Sequence, residues 1–428
     1  MTEQEIAELG PSFTQYLGTF RVCFLQKRTA THFDAFCRGL LSDLPRKSVE
    51  PIALAAGTAV RTLQEFLTTA KWDHEQARDL LQQRLAGVIA ALPADDLGAI
   101  GVIDETSCQK WGEQTPGVQR QYLGCVGKVD NGIVTVHVGV AKGTFQALLD
   151  ADLYLPEGWA ADRVRCRKAG IPDEVDYLSK WQIALQQLIR LHDNGLKFEW
   201  LTFDEYYGSK VPFLWVLGLI DQKFVAEVPR SFSVRRSAGR RAQRADELQP
   251  GTKTGDWTRV QLIRKTVAKQ VWRAKSTRVW AADRWHVLVT AVNEKTGEVK
   301  YFVTNAVDEA LERILRVAFR RATIEQVFRL AKQEAGLMHF EGRDYTGLIR
   351  HLILALVVLG FVAEQTERLR GEKSAGDGGT GMSGVERTMR DVVPSSTRYA
   401  PTATYERDDP VSSAAKQTGH RVTQEAAA

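Results

Sequence analysis

Three carboxylates in this chain fall where phosphodiester chemistry could use them. Asp104 directly follows the apolar run Ile100-Gly-Val-Ile103, and Asp204 directly follows the apolar stretch Phe198 to Phe203. Each run reads as a buried strand that ends in a short acidic side chain. Glu325 lies on a helical stretch, four residues after Arg321 and seven before Lys332. At about 100° per residue these side chains agree in direction within about 60° and form one polar face. Ile324, Val327, Phe328 and Leu330 would give that helix its apolar contacts. Carboxylates that clamp two divalent ions roughly 4 Å apart stabilise both the attacking and the leaving oxygen of a phosphodiester. Magnesium prefers such hard oxygen ligands, and a glutamate flanked by two cations can bind metal while the cations hold phosphate oxygens. Taken singly, each residue also has a plain reading: a strand-end acid can cap a loop, and the helix face can be a set of intrahelical ion pairs.

The elements around these residues must bring them together. Gln121 to Lys128 reads as a strand, Asp130-Asn-Gly132 as a hairpin turn, and the valine-rich run Ile133 to Val140 as its antiparallel partner. A long loop with Pro156 and Pro172 follows, then an amphipathic helix from about Asp176 to His192, stopped by Asn194-Gly195. After the Phe198–Phe203 strand come a helix over Val211 to Asp221 and a strand over Phe224 to Val228. Three strands, then helix, strand, helix and strand, is the α/β ribonuclease H-like arrangement. It lets Asp104 and Asp204 converge across a sheet although 100 residues separate them. Further helices are expected from Asp308 to about Glu334 and from Tyr345 to about Arg370. The 12-residue apolar run Leu352 to Ala363 is shorter than the roughly 20 residues a membrane span needs, and reads as a buried core helix.

Charge is unevenly spread. Between Arg230 and Arg278 there are 14 Lys or Arg against three acids, a local +11, so the remainder sums to 5 − 11 = −6. A concentrated basic segment is what a phosphate-backbone footprint looks like, with Arg235, Arg236, Arg240 and Arg241 as its densest part. The same segment holds Trp257, Trp272, Trp280 and Trp285 among alternating runs, and reads as a β-rich insertion over residues 230–305. Its aromatics could stack on a flipped base or simply pack in a core. Residues 1–95 read as a helical domain. Pro51 and Gly57 frame a possible helix-turn-helix over residues 51–70, which suits either a major groove or simple packing. The core is then expected over 96–229 and 306–370. The polar stretch 371–428, poor in apolar residues, is expected to be disordered. Five scattered cysteines, Cys23, Cys37, Cys108, Cys125 and Cys166, without a CxxC pair or a secretory signal, point to reduced thiols in a cytoplasm. His137 and His351 read as structural, and Glu105 and Glu205 should point away from their neighbouring aspartates by strand alternation.

Several of these segments together resemble the DDE transposases of bacterial insertion sequences, in the group marked by Tyr-x2-Arg-x3-Glu-x6-Lys. Arg321, Glu325 and Lys332 match that pattern, whereas the tyrosine position is Ala318. Val102-Ile-Asp-Glu-Thr106, Gly117-Val-Gln-Arg-Gln-Tyr122, Leu153-Tyr-Leu-Pro156, Phe203-Asp-Glu-Tyr-Tyr-Gly208, Phe328 to Gly336 and Arg350-His351 add to the likeness, which spans roughly residues 20 to 365. The resemblance implies a metal-dependent endonuclease and strand-transfer enzyme with two Mg²⁺ ions, replaceable by Mn²⁺, held by Asp104, Asp204 and Glu325. Arg321 and Lys332 would hold phosphates. The implied partners are the element's terminal inverted repeats, target DNA and a second copy of the chain, in a bacterial cytoplasm at the nucleoid, with no membrane. Two other readings stay open at this point: a transposase-derived DNA-binding protein that does not cut, and a ribonuclease H-like nuclease indifferent to end sequences.

Overall fold

The computed structural model describes residues 3–248, 257–264 and 267–374. Five helices come first: α1 (Glu3–Gly18), α2 (Lys27–Leu41), α3 (Val49–Ala55), α4 (Val60–Thr68) and α5 (His74–Ala91). The turn between α3 and α4 contains Gly57 at φ +64°, a conformation that costs glycine nothing. Leu63, Phe66 and Leu67 of α4 are buried, and Phe66 stacks on Trp72. The polar face of α4 carries Arg61 and Glu65, paired at 2.8 Å.

Four strands follow: β1 (Ile100–Gln109), β2 (Gln119–Leu123), β3 (Lys128–Lys142) and β4 (Phe145–Leu153). Helices α6 (Glu157–Ala161), α7 (Arg163–Lys168) and α8 (Lys180–Asp193) lead to β5 (Trp200–Phe203), α9 (Glu205–Gly208), α10 (Val211–Leu219) and β6 (Phe224–Val228). The basic segment then forms β7 (Ser233–Val234), β8 (Gln243–Arg244), α11 (Ala245–Leu248), β9 (Thr258–Arg264), β10 (Val267–Ala281), β11 (Arg284–Asn293) and β12 (Val299–Thr304). Last come α12 (Leu311–Ala318), α13 (Arg321–Glu334) and α14 (Tyr345–Ser374).

The fold is mixed α/β around one large sheet. Its strand order is β2-β3-β1-β5-β6-β12-β11-β10-β9, with β4 also paired to β3. β1, β5 and β6 run parallel to one another, while β3 pairs antiparallel with β1 and β12 antiparallel with β6. The β-rich basic segment therefore extends the central sheet through the β12–β6 pairing. One hydrophobic core joins the N-terminal helices, the sheet and α14, from Phe13 and Phe36 through Ile103 and Phe203 to Leu288 and Leu356. Tyr16 donates its hydroxyl to the Val357 carbonyl at 2.8 Å, and buried Arg350 donates to the carbonyls of Leu67 and Trp72, so α14 ties the two ends of the chain together. The stretch Tyr345–Arg370 is long and apolar enough to cross a membrane, but 78% of its most apolar window is buried inside the molecule. It is a core helix.

Local expectations are corrected at four places. Asp130-Asn-Gly132 is no hairpin turn: β3 runs straight through it, and the turn is Gly124 to Gly127. Gly132 serves close approach instead, because a Cβ there would lie 2.4 Å from the Cys108 carbonyl oxygen on β1. β4 occupies part of the expected long loop. Its Asp150 and Asp152 are unusual in a strand, and Arg190 of α8 neutralises both at 2.7 and 2.6 Å. The single helix expected over 308–334 is broken at Phe319 and Arg320, where Phe319 turns into Trp272 (4.7 Å between ring centroids) and Phe302. Finally, β1 does not stop at Asp104 but continues to Gln109 along β3. The expectation for the C-terminal stretch lies outside the described residues, except that α14 reaches Ser374.

Candidate active site

Parallel register sets the site. Ile103 of β1 pairs with Phe203 of β5, so Asp104 and Asp204 occupy the next level of the two strands side by side. Phe203 pairs in turn with Ala226 of β6, which puts Glu227 at that same level. Residues level with one another on neighbouring parallel strands share a sheet face, and three adjacent strands thus present Asp104, Asp204 and Glu227 together. The interruption of β5 at Asp204 is a local matter: Asp204 caps α9, accepting from the backbone N–H of Tyr206 at 3.0 Å. α9 must lie close on β6, since a Cβ on Gly208 would come within 2.0 Å of the Glu227 carbonyl oxygen. Only glycine closes the Phe203-Asp-Glu-Tyr-Tyr-Gly208 segment without moving that strand.

Helix α13 covers the acids. Ile324, Val327 and Phe328 are buried, and Arg321, three and seven residues before Ile324 and Phe328, lies on that same face and turns inward. The Arg321 guanidinium lies 3.4 Å from Asp104 Oδ2, 3.5 Å from Glu227 Oε2 and 3.8 Å from Glu325 Oε1. It is the shared counterion of the cluster. Glu227 has a second partner, Lys300 of β12, at 2.6 Å. Glu325 itself is 63% exposed and approaches the same Arg321 Nη1 as Asp104. Lys332 is further along the same helix, half-buried beside Cys108 and Cys125, and burial holds its ammonium below the usual lysine range.

Burial pushes the Asp104 carboxyl up to about 7; Asp204 beside it adds to the rise and Arg321 opposes it. Asp204 is also raised by burial, with Arg321 again pulling it down. Asp204 raises Asp104, and Glu227 in turn raises Asp204, so this largely buried cluster of acids is short of positive charge. The hydroxyl of Tyr207, fully buried in the field of Asp104 and Asp204, has no hydrogen-bond partner among protein atoms. Hard carboxylate oxygens and an unused hydroxyl suit a hydrated divalent cation in type. Among the described residues, though, no three His, Cys, Asp or Glu side chains converge as they stand at metal-binding distance. Asp104 and Asp204 are adjacent, and Asp104 and Glu325 share the Nη1 of Arg321.

The remaining residues singled out in the sequence sort clearly. Glu105 faces α8 and pairs with Lys180 at 2.6 Å. His137 is buried, bonded to Thr135 at 2.7 Å and packed edge-on to Phe328, and burial pushes it down to about 3. His351 is likewise buried on the Gly336 carbonyl. Arg235, Arg236, Arg240 and Arg241 are exposed. Arg236, Arg240 and Arg241 line a concavity of about 720 Å³ with Ser237, Gln243 and Glu247. Trp272 is core, Trp257 lies under Arg273 and Lys275, and Trp285 is 40% exposed against Trp280. Ala318 is buried at the end of α12. The residue that sequence reasoning missed is Glu227. Its only signal is a single acid within the apolar strand Phe224 to Val228.

A parallel β1–β5–β6 core that brings level carboxylates under a helix is consistent with an endonuclease domain of the α/β type. Residues 19–291 match the family described as DDE superfamily endonuclease, and the chain belongs to it. Endonucleases of this family work with divalent metal ions. The chain is also similar to a protein of Microchaete diplosiphon named as the probable transposase for insertion sequence element IS701, with 33% identity over 218 residues. That match covers 50% of this chain and 53% of the relative, so the chain spans about half the length of the curated relative. The family match includes Asp104, Asp204 and Glu227 and ends before α13.

Proposed function

We propose that this chain is a DNA transposase with a ribonuclease H-like core, which cleaves the ends of an element and joins them to target DNA. The observation that carries the reading is the side-by-side placement of the largely buried Asp104 and Asp204 at the end of the β1–β5 pairing, with Arg321 of α13 on Asp104 and Glu325 one turn further along the helix on the same guanidinium. Asp104, Asp204 and Glu325 are assigned as the catalytic carboxylates and the ligands of two Mg²⁺ ions, for which Mn²⁺ can substitute. Bound there, the ions would supply Lewis acidity to the scissile phosphate and an activated hydroxyl nucleophile.

The chain's own residues do the rest. Asp104 and Asp204 are held rigidly by the sheet and by the α9 cap, so their oxygens define where the phosphate must lie. Glu325, exposed on α13, can close on the site from the helix side when Arg321 gives way. Arg321 and Lys332 then hold phosphate oxygens, Arg321 with the planar fork that suits them. Arg235, Arg236, Arg240 and Arg241 contact the DNA backbone, and the α3–α4 pair within residues 49–68 reads the terminal inverted repeats. Processing two ends together would involve a homodimer on DNA.

The test is cleavage. Purified full-length protein is incubated with Mg²⁺ or Mn²⁺ and a plasmid carrying the DNA that natively flanks its gene, beside Asp104→Ala. Nicks or breaks at defined element ends, absent with the variant, are the expected result. DNA binding without cleavage by either protein would overturn the enzyme reading.

A further inference from the structure

Arg321 sits where a cation is needed, and something must decide whether it stays or leaves. Its guanidinium divides itself between Asp104 at 3.4 Å and Glu227 at 3.5 Å, using Nη1 for the first and Nη2 for the second. Glu227 is not free to follow either neighbour. Its other oxygen is bonded to Lys300 at 2.6 Å, and β6 is fixed between β5 and β12, where Glu227 pairs in register with Phe302. Close packing of Gly208 on the Glu227 carbonyl locks the backbone as well. The side chain is only 13% exposed. Glu227 is therefore an immobile acid with one oxygen committed to Lys300 and the other turned to Arg321.

We propose that Glu227 is a positioning residue: anchored by Lys300, it tethers the Arg321 guanidinium at the edge of the Asp104–Asp204 pair, so that the arginine yields Asp104 to an incoming divalent cation yet stays in the site to hold phosphate. Without the tether, Arg321 would turn fully to Asp104 and Glu325 and compete with the cation for them. The inference rests on the reading of Asp104 as a metal ligand. Glu227 touches Arg321 and not the reacting atoms, so it acts through the arginine.

That indirect action is testable without turnover. Mn²⁺ is titrated calorimetrically into the full chain and into Glu227→Gln, Arg321→Gln, the double variant of these two, and Asp104→Asn. Partners behind metal ligands typically change metal affinity 10–100-fold, so Glu227→Gln is expected to weaken Mn²⁺ binding about tenfold. Made on top of Arg321→Gln, the same change should alter the dissociation constant by less than about twofold, because the two residues act as a unit. Equal weakening in both backgrounds would mean that Glu227 meets the cation directly, and no weakening in either would mean that it does nothing for the site. Each of these overturns the proposal while leaving Asp104 as a ligand. Mn²⁺ binding unaffected by Asp104→Asn, or absent from the unaltered protein, would instead remove the reading beneath it, and the proposal with it. Should Glu227→Gln lose its fold because Lys300 keeps only the longer pair with Glu298, Glu227→Gln/Lys300→Gln removes both charges and takes its place in the cycle.

Discussion

The site has two halves that are built differently. The sheet half carries Asp104, Asp204 and Glu227 at one level of three adjacent strands, largely buried and fixed by register, with Asp204 also capping α9. The helix half carries Arg321, Glu325 and Lys332 on α13, one of them paired inward, one exposed and one half-buried. Stored charge frustration belongs to the first half, where acids are crowded in a poorly solvated place. Adaptability belongs to the second, where a side chain can change partner at little cost to packing. A nuclease needs both, since the ligands must be set before substrate arrives and the phosphate clamp must form around it.

The largest effect separates the halves by what each loss does. Glu325→Gln should lower end cleavage by about a thousandfold, the several kcal/mol that a metal-held transition state is worth. It should leave the melting temperature unchanged, because the side chain is 63% exposed. Parallel cleavage rates and calorimetric unfolding check this, and a large drop in melting temperature would show that α13 is as rigidly engaged as the strands. On the sheet side, Gly208→Ala forces a methyl group against the Glu227 carbonyl. Overpacking of this kind costs about 1–3 kcal/mol, so denaturant unfolding should shift to lower midpoint with cleavage reduced alongside. A neutral result would mean that α9 moves freely on β6. The smallest effect runs the other way. With divalent ions chelated at pH 8, Asp104→Asn should stabilise the protein by about 1 kcal/mol, a rise of ~2 °C, since it removes an ionised acid whose carboxyl is raised to about 7 by burial and by Asp204. Differential scanning calorimetry reads it, and a fall in melting temperature would show that the Arg321 ion pair outweighs the crowding.

How much of this the sequence disclosed follows from where the information is local. Asp104 and Asp204 were legible because each directly follows an apolar run, and the Arg321, Glu325 and Lys332 face because helical periodicity is a short-range property. Glu227 was not, because its place beside Asp204 depends on the parallel β5–β6 register, which no nearby residue encodes. β4 was hidden by Asp150 and Asp152, acids acceptable in a strand only with Arg190 arriving from a later helix. Asp130-Asn-Gly132 carried a strong turn signal that a close approach to the Cys108 carbonyl overrode. The break at Phe319 likewise depends on Trp272 and Phe302, brought up by strands distant in sequence or order.

The central claim is that Asp104 and Asp204 act as one cation site, and thermal unfolding against Mn²⁺ concentration tests it most directly. A ligand that binds only the folded state raises stability by about 2.7 kcal/mol at 100 times its dissociation constant. The account predicts a saturable rise in melting temperature for the unaltered chain that is abolished in both Asp104→Asn and Asp204→Asn. An equal rise in all three proteins would contradict it.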